Sequence, residues 1–372
     1  MQRYALAIVG GGAAGLLAGV RAGERMPGQR VVVLEANQRV GRKLLATGNG
    51  RCNLENLQAS PACYFGDSRA AAPLLALYPP GRVLAYFQSL GLVCRTLADG
   101  RVYPYSNQAS SVLNILRKRL AERHVEERCG FPVRGIDRRG EGYLLTAAHG
   151  EQLWARRVLL APGGAAQTQA QSGYTLARSL GHTVTPLHPA LVPVEVREQR
   201  VVRALKGVRI PAAVRLERKG KCLMETRGEV QFTQTALSGI CVFEFSRLVR
   251  SGDILSLDLV PEYSLSRLEQ LTGGSLEGVL PKALYQACPF GEVKHFRFTA
   301  AQPGPMRQAQ VTAGGVPLRE IDARCGSLVS PGVWLCGELL NLDGRCGGFN
   351  LHWAWITALA AVEAIAKGDD AE

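Results

Sequence analysis

The first residues in the chain that could do chemistry form the glycine-rich run GGGAAG, which begins at residue 10. In its G-x-G-x-x-G spacing, Gly10 permits a tight turn, Gly12 lets a phosphate approach the backbone and Gly15 lets a helix lie close to a sheet. The backbone amides of Ala13 and Ala14 would then face a pyrophosphate at the positive end of the helix dipole. The run therefore predicts a site for the phosphates of a dinucleotide.

A carboxylate follows at the distance that a ribose site requires. Glu35 lies twenty residues after Gly15 and is followed by Ala36. An acid at this distance accepts hydrogen bonds from the ribose hydroxyl groups. Because the Glu35 carboxylate would repel a ribose 2′-phosphate, an NADP-type ligand is disfavoured at this position.

The elements that must position these residues are a strand, a turn, a helix and a second strand. Residues 4–9 form an apolar run typical of a buried strand, residues 16–25 can continue as a helix, and residues 30–34 form another apolar run. A glycine run by itself is also compatible with an ordinary turn. The strand before it, the helix after it and the acid at the right distance favour the dinucleotide site.

Length and composition are those of an ordinary globular protein. The 372 residues can hold two or three domains, and 47% of them are hydrophobic. We find no apolar run of the about 18 residues that span a bilayer. Met1 leads straight into the first strand without a cleavable leader. We therefore expect a cytoplasmic protein that does not enter a membrane.

The ten cysteines and six histidines are dispersed along the chain, and no C-x-x-C pair occurs. In a chain of this length, such dispersal favours reduced thiols over a disulfide framework or a zinc site. We expect no structural metal.

The formal net charge is +13 at pH 7. The basic residues occur in small groups and are not interleaved with aromatic residues as in a nucleic-acid platform. This pattern favours solvated basic faces that attract anions in general, and it disfavours nucleic acid as a partner. An RNA-associated protein stays open as an alternative. The sequence does not predict an oligomeric state.

The loop after the ribose-binding acid has a more specific pattern. Residues 41–56 read GRKLLATGNGRCNLEN, a loop rich in backbone amides and cations that can wrap an extended anion. This stretch resembles the corresponding loop of a widespread bacterial family of FAD-binding oxidoreductases, the HI-type or aminoacetone-oxidase-like flavoproteins. The resemblance implies that FAD is the dinucleotide.

The C-terminal region carries a second motif of the same family. Residues 336–355 read CGELLNLDGRCGGFNLHWAW and resemble its C-terminal signature. The resemblance implies that an acid after the preceding strand, Glu338 or Asp343, contacts the ribityl chain. We expect Asn350 to cap a helix over residues 351–367. The amides of Asn350, Leu351 and His352 would then point at the flavin ring, where negative charge accumulates on reduction.

Two segments in the middle of the chain are expected to complete the cofactor site. Residues 158–164 form an apolar strand that ends in small residues and resembles the ATGG element of two-dinucleotide-type flavoproteins, with Pro162 in place of the threonine. An ordinary strand end is the alternative. Residues 125–154 predict a small antiparallel meander that passes the adenine around Val133.

These patterns together predict an α/β fold. The expected architecture is a Rossmann-type FAD-binding domain over residues 1–187 and 312–372, with a β-barrel-like inserted domain over residues 188–262 and 292–311. Residues 263–291 are expected to form a small helical domain. The residues expected to bind FAD are Gly10, Gly12, Ala13, Ala14, Gly15, Glu35, Ala36, Arg42, Lys43, Thr47, Gly48, Asn49, Cys52, Asn53, Val133, Ala161, Gly163, Gly164, Gly337, Glu338, Asp343, Gly347, Gly348, Asn350 and Leu351.

The expected activity is that of an FAD-dependent oxidoreductase. Reduced nicotinamide dinucleotide would visit the flavin transiently, since no second glycine fingerprint is present, and electrons would pass to a small-molecule acceptor. Oxidation of a small amine with release of hydrogen peroxide is an alternative, and so is a purely structural flavin. Cys52 and His352 are the candidate catalytic side chains, although a packed thiol and a packed or solvated histidine are the more ordinary roles.

Overall fold

The computed structural model describes residues 1–167 and 172–368, which belong to two compact units. The first unit comprises residues 1–165, 172–187 and 313–368 of the described chain. The second comprises residues 188–312 together with residues 166 and 167. Residues 263–291, expected to be a separate helical domain, lie within this second unit.

The strands are short in most of the chain and longest in the second unit. In chain order they are β1 (Gln2–Val9), β2 (Val31–Leu34), β3 (Glu55–Asn56), β4 (Tyr64–Gly66), β5 (Cys94–Thr96), β6 (Arg101–Pro104), β7 (Glu126–Arg128), β8 (Val133–Arg139), β9 (Gly142–Ala147), β10 (Gln152–Leu160), β11 (His188–Ala190), β12 (Val194–Val196), β13 (Arg209–Arg218), β14 (Lys221–Phe232), β15 (Ala236–Ser238), β16 (Ile254–Asp258), β17 (Phe296–Pro303), β18 (Val311–Ala313), β19 (Val333–Leu335) and β20 (Leu342–Gly344).

The helices flank the sheet of the first unit and cover parts of the second. They are α1 (Ala13–Arg25), α2 (Arg42–Ala46), α3 (Ser68–Leu77), α4 (Pro80–Ser89), α5 (Ala109–Glu122), α6 (Ser172–Ser179), α7 (Gln199–Ala204), α8 (Ile240–Phe243), α9 (Leu265–Thr272), α10 (Lys282–Ala287) and α11 (Phe349–Lys367).

The first unit is built on a seven-stranded sheet in the order β7-β2-β1-β10-β9-β8, with β19 also paired to β10. β7, β2, β1, β10 and β19 are parallel to one another, so their carboxyl ends meet at one edge. The expected antiparallel meander over residues 125–154 is therefore wrong at its start. β7 pairs in parallel with β2 because α5 crosses over before it, and only β8, β9 and β10 are antiparallel.

The last helix, α11, forms the centre of this unit and packs against α1. Its length and apolar composition are those of a membrane-crossing helix, in contrast to the expectation that no apolar run reaches this length. Most of it is buried: 78% of its apolar window lies inside the protein. The apolar surface of α11 is thus covered by the core of the unit.

The second unit contains a closed barrel in the order β12-β15-β14-β13-β16-β17, which confirms the predicted barrel. All of its pairs are antiparallel. Alternate residues of β13, among them Ile210, Val214 and Leu216, are buried in its interior. Phe296 and Phe298 pack edge to face there, with ring centroids 4.8 Å apart.

The core of the first unit depends on one buried indole. Trp355 of α11 is fully buried, its Nε1 donates to the backbone oxygen of Leu54 at 2.9 Å, and its ring lies 5.0 Å from that of Phe87. This hydrogen bond ties the helix to the segment that leads into β3. Trp334 of β19 offers a comparison, because its buried Nε1 has no partner among the described residues.

We expect Trp355→Phe to lower the free energy of unfolding by about 1–3 kcal/mol more than Trp334→Phe, because it leaves the Leu54 carbonyl buried without a donor. Denaturant titration of both variants measures the difference, with the slope checked for constancy. Equal losses in the two variants would show that the indole hydrogen bond contributes nothing.

Candidate functional site

The predicted motif residues directly follow four parallel strands. Val9 of β1 is in register with Leu34 of β2 on one side and with Leu160 of β10 on the other. Leu160 is in turn in register with Leu335 of β19. The four strands therefore end at the same level, and the segments after them lie side by side at the edge where α/β sheets bind ligands.

Steric contacts explain two of the three glycines at the first strand end. Gly10 has a φ of +112°, and a Cβ there would lie 2.2 Å from the carbonyl oxygen of Ala161. A Cβ on Gly15 would lie 1.8 Å from the carbonyl oxygen of Gly10. A Cβ on Gly12 would meet no atom within 4 Å, and no side chain caps α1 there. The start of α1 thus has free space for an anion.

The Glu35 carboxylate is hydrogen-bonded to the glycine turn within the protein itself. Its Oε2 accepts from the backbone amide of Gly11 at 2.9 Å and its Oε1 from that of Asn37 at 2.8 Å. The sequence analysis gave no role to Gly11. A Cβ on Gly11 would lie 2.6 Å from Val40 Cγ1, so this position also requires glycine. The sequence signal for this role of Gly11 is that the run has three consecutive glycines, one more than the G-x-G spacing needs.

The loop over residues 41–56 lies against this turn. The amide of Gly41 donates to the Gly11 carbonyl at 2.8 Å, and Gly41 itself has a φ of +76°. The segment Thr47–Gly50 is a short 3₁₀ turn in which Gly48 and Asn49 are left-handed. Ala36 and Arg42 are exposed. The loop therefore presents amides and cations beside the first strand end.

An ion pair connects the two motifs that are furthest apart in the chain. Lys43 Nζ lies 2.6 Å from Glu338 Oε2, and the Glu338 side chain is only 17% exposed. Next to it, Gly337 has a φ of +70° and a Cβ there would lie 3.3 Å from Ala14 Cβ. The strand end near the C-terminus therefore lies against the start of α1.

A second connection runs through the start of α11. A Cβ on Gly348 would lie 2.5 Å from the Glu55 carbonyl oxygen and 3.1 Å from Asn53 Oδ1. The same Asn53 Oδ1 is buried and has no hydrogen-bond partner in the described part of the chain. This atom is available to a group that the protein itself does not supply.

The expected capping role of Asn350 is wrong. α11 begins at Phe349, two residues earlier than expected, and its cap is Gly348, whose φ of +103° favours glycine. Asn350 Oδ1 instead accepts from the amide of Gly344 at 2.8 Å. The His352 amide already donates to the Gly348 carbonyl, so the amides that precede the first helical bond belong to Phe349, Asn350 and Leu351.

His352 is neither solvated nor at the surface of the site. Its Nδ1 lies 2.8 Å from Glu55 Oε2, and both side chains are fully buried. Its Nε2 has no partner among the described residues. Burial raises the pKa of the Glu55 carboxyl, while the adjacent imidazole of His352 opposes that rise. No sequence pattern indicates Glu55 as the partner of His352, because no local pattern links β3 to α11.

Cys52 is a packed thiol in this structure. It is fully buried with a φ of +57°, and burial raises its pKa to about 12. A protonated, inaccessible thiol is a poor nucleophile. All ten cysteines are free, and no cluster of His, Cys, Asp or Glu suited to a metal occurs among residues 1–167 and 172–368.

The other expected residues lie at different depths around this edge. Val133 is buried at the start of β8, two residues after Phe131, whose amide donates to the Glu35 carbonyl at 2.9 Å. Gly163 has a φ of +76° with no atom within 4 Å of a Cβ, and Gly164 is half-buried. Asp343 is buried in β20.

A cleft of about 880 Å³ opens beside the ribose acid. Its walls include Asn37, Arg42, Leu113 and Arg117. The cleft lies next to the segment over residues 37–46 and extends to α5.

These observations fit FAD. The start of α1 is open to a pyrophosphate, Gly12 and Gly163 have room for a close approach, and Asn53 keeps a buried oxygen without a partner. A Rossmann sheet whose strand ends carry these motifs defines an FAD-dependent oxidoreductase. Residues 4–364 match the family described as the HI0933-like protein Rossmann domain, and the chain belongs to this family.

The chain is similar to two relatives over nearly its whole length. It is 34% identical to the 3-dehydro-bile acid delta(4,6)-reductase of Clostridium scindens, over 97% of this chain and 99% of the relative. It is 25% identical to the ribosomal RNA dihydrouridine synthase of Escherichia coli, over 98% of each chain. The fold is similar to that of a 3-ketosteroid-delta4-(5alpha)-dehydrogenase from Rhodococcus jostii, with a TM-score of 0.56, 14% identity and coverage of 98% and 97%.

Gly12→Ala separates folding from cofactor binding. The φ of Gly12 is −86° and its Cβ direction is open, so the apoprotein should still fold and should lose only about 1 kcal/mol of stability, because alanine is a poorer N-cap residue than glycine. The methyl group would occupy the approach of the pyrophosphate, and FAD affinity should fall by about tenfold or more. Fluorescence titration with FAD measures the affinity.

Gly81→Ala is the matched control for this substitution, because Gly81 in α4 also has open space around it. It should bind FAD as the wild type does. Wild-type affinity in Gly12→Ala would contradict the placement of the pyrophosphate at the start of α1.

The raised pKa of Cys52 predicts its alkylation behaviour. Because its pKa is about 12, only roughly one Cys52 thiol in ten thousand is ionised at pH 8. Iodoacetamide at pH 8 should therefore modify the exposed Cys222 and leave Cys52 unmodified until the protein is unfolded. Peptide mass spectrometry identifies the modified positions, and early modification of Cys52 in the folded protein would show that the loop opens.

Proposed function

We propose that this protein is an NAD(P)H-driven FAD-dependent reductase of a carbon–carbon double bond conjugated to a carbonyl group in a small molecule. The observation that carries the proposal is the whole-length similarity, at 34% identity, to a reductase named for 4,6-unsaturated 3-keto bile acids. The E. coli relative is named for dihydrouridine, whose formation also removes a double bond next to a carbonyl. The names of both relatives therefore refer to a carbon–carbon double bond next to a carbonyl group.

The FAD pyrophosphate would lie at Gly12 and accept hydrogen bonds from the amides of Ala13 and Ala14. Support comes from the open start of α1 and from the absence of any acidic side chain in its first turn. Glu35 would exchange its contact with the Gly11 amide for contacts with the ribose hydroxyls. Asn53 Oδ1 would gain the partner that it lacks within the protein.

Lys43 positions the acid at the other end of the cofactor. Its ammonium group, 2.6 Å from Glu338 Oε2, neutralises a carboxylate that is largely buried and fixes its direction. Glu338 would then accept a hydrogen bond from the ribityl chain, with Asp343 nearby in sequence. A charged acid at this place would be costly without the lysine.

The start of α11 supplies the electrostatics of the redox step. The amides of Phe349, Asn350 and Leu351 are at the positive end of a 19-residue helix. FAD held here would supply hydride transfer, from reduced nicotinamide dinucleotide to one carbon of the double bond, with a proton from solvent for the other carbon. The helix would stabilise the negative charge that the reduced ring carries.

His352 acts in this proposal as a positioning residue. Its bond to Glu55 holds the first turn of α11 against β3, and the Glu55 carboxylate is fixed in turn by the amide of Asn56 at 2.9 Å. The pair is fully enclosed, so contact with a substrate is not part of its role. Cys52 stays a packed thiol. A cytoplasmic location belongs to the proposal, because ten free thiols and a nicotinamide reductant suit a reducing compartment.

The test uses the FAD-loaded protein without oxygen. NADPH or NADH should bleach the visible absorbance of the flavin, and 4-androstene-3,17-dione should restore it with loss of its conjugated double bond. A flavin that no reduced nicotinamide bleaches would refute the proposal. Bleaching by a small primary amine, with hydrogen peroxide formed in air, would support the oxidase alternative instead.

A uracil base in ribosomal RNA is the second candidate acceptor. It is favoured by the E. coli relative and by the net charge of +13. Filter binding to ribosomal RNA in a salt series tests it, because several phosphate contacts produce a steep loss of affinity as salt rises. Reduction of uridine in bound RNA by the reduced protein would establish this acceptor.

A further inference from the structure

The hairpin formed by β5 and β6 has one face with an unusual composition. Arg95 pairs with Tyr103, the Tyr105 amide donates to the Val93 carbonyl and the Leu97 amide to the Arg101 carbonyl, both at 2.8 Å. Alternate residues of paired strands point to the same side. We call this side the hairpin face, and its members are Val93, Arg95, Leu97, Arg101, Tyr103 and Tyr105.

Most of the hairpin face is exposed, although Tyr103 is buried, and the face is positively charged. Tyr105 is 68% exposed and Val93 66% exposed, which is high for such apolar groups. Arg51 lies over the face, with its guanidinium carbon 5.3 Å from the Tyr103 ring centroid. Arg95 is exposed, and its guanidinium makes no hydrogen bond or ion pair within the described part of the chain. The face therefore offers cations together with one accessible aromatic ring.

The same face borders the loop that leads into α11. Asn56 of β3 pairs with Arg101 and donates through its Nδ2 to the Gly347 carbonyl at 2.8 Å. A Cβ on Gly347 would lie 3.7 Å from Arg101 Cδ. A ligand on the hairpin face would therefore be next to the residues that the proposed function assigns to the flavin ring.

We propose that the hairpin face is the docking surface for NADPH, with phosphates on Arg51 and Arg95 and a base against Tyr105. The inference rests on the proposed function, which needs a nicotinamide reductant although the chain has one glycine fingerprint. Arg101 adds a third guanidinium, and Asp99 is its acidic partner. Three guanidinium groups and one carboxylate give this surface a net positive charge. Such a charge suits a ligand that carries a 2′-phosphate as well as a diphosphate.

The size of the face favours a dinucleotide over a nucleic-acid strand. The hairpin face extends four residues, or roughly 14 Å, from the Val93 and Tyr105 pair to the Leu97 and Arg101 pair. Single-strand binders follow about 4–16 nucleotides with successive aromatic rings. The hairpin face exposes one ring, since Tyr103 is buried to 4% exposure.

The experiment measures binding of NADP⁺ to the FAD-loaded protein by calorimetry. Arg95→Ala should weaken binding about tenfold, because it removes a charge-assisted hydrogen bond to a phosphate. Arg138→Ala is the matched control, since Arg138 is also an exposed arginine opposite a buried tyrosine, Tyr143, in an antiparallel pair. The control should bind NADP⁺ as the wild type does.

A second pair of variants tests the base contact. Tyr105→Ala should weaken NADP⁺ binding, whereas Tyr263→Ala, at another half-exposed tyrosine, should not. NAD⁺ should bind more weakly than NADP⁺ to the wild type and should lose less affinity in Arg95→Ala.

Kinetics separate this inference from the proposed function. Arg95→Ala should raise KM for NADPH about tenfold with little change in kcat, because the contact is equally strong before and during hydride transfer. Turnover of the acceptor by dithionite-reduced protein should not change. If NADPH reduces the wild type and Arg95→Ala equally well, only the docking site is wrong. If NADPH fails to reduce the wild type, both proposals fail. A loss of RNA affinity with unchanged NADP⁺ binding would assign the face to nucleic acid.

Discussion

The structure of the first unit depends on the close backbone approach at the end of β1. Gly10 turns the chain with a positive φ directly over the Ala161 carbonyl, and Gly15 lets α1 lie on Gly10. Any side chain at either position would separate β1 from β10 or lift the helix from the sheet. The parallel register of four strand ends, and with it the position of every motif that follows them, requires this contact.

The charged and dipolar groups of the site also lie at the edge where the parallel strands end. The open start of α1 and the start of α11 each direct unpaired amides outward. Two carboxylates at this edge already have partners within the protein: Glu35 accepts from backbone amides and Glu338 pairs with Lys43. A ligand with a ribose at one end, a diphosphate in the middle and an electron-accepting ring at the other end suits these charges.

One fully buried and one partly buried polar pair connect segments that are far apart in the chain. Glu55 and His352 are 297 residues apart, yet both are fully enclosed and hydrogen-bonded. Lys43 and Glu338 are 295 residues apart. Breaking such a pair leaves a charge or a strong acceptor without a partner in a low-dielectric interior. These pairs thus connect the segment from Glu338 to His352 with the first sixty residues of the same unit.

The sequence by itself determined the features that local chemistry controls. The strand, glycine turn, helix and acid over residues 4–35 follow from apolar period and glycine spacing, and the barrel follows from short alternating strands. The two long motifs indicated the family. The sequence did not predict the start of α11 at Phe349, because the boundary is set by the left-handed φ of Gly348, and that φ cannot be read from a GG pair.

Only the tertiary structure decided which distant residues meet. The parallel pairing of β7, the partner of His352, the burial of Cys52 and the ion pair of Lys43 all depend on contacts between segments with no sequence periodicity in common. The exposed hairpin face beside Gly347 likewise results from packing. Side-chain type and spacing specify local backbone geometry, whereas burial and pairing of charges are properties of the assembled core.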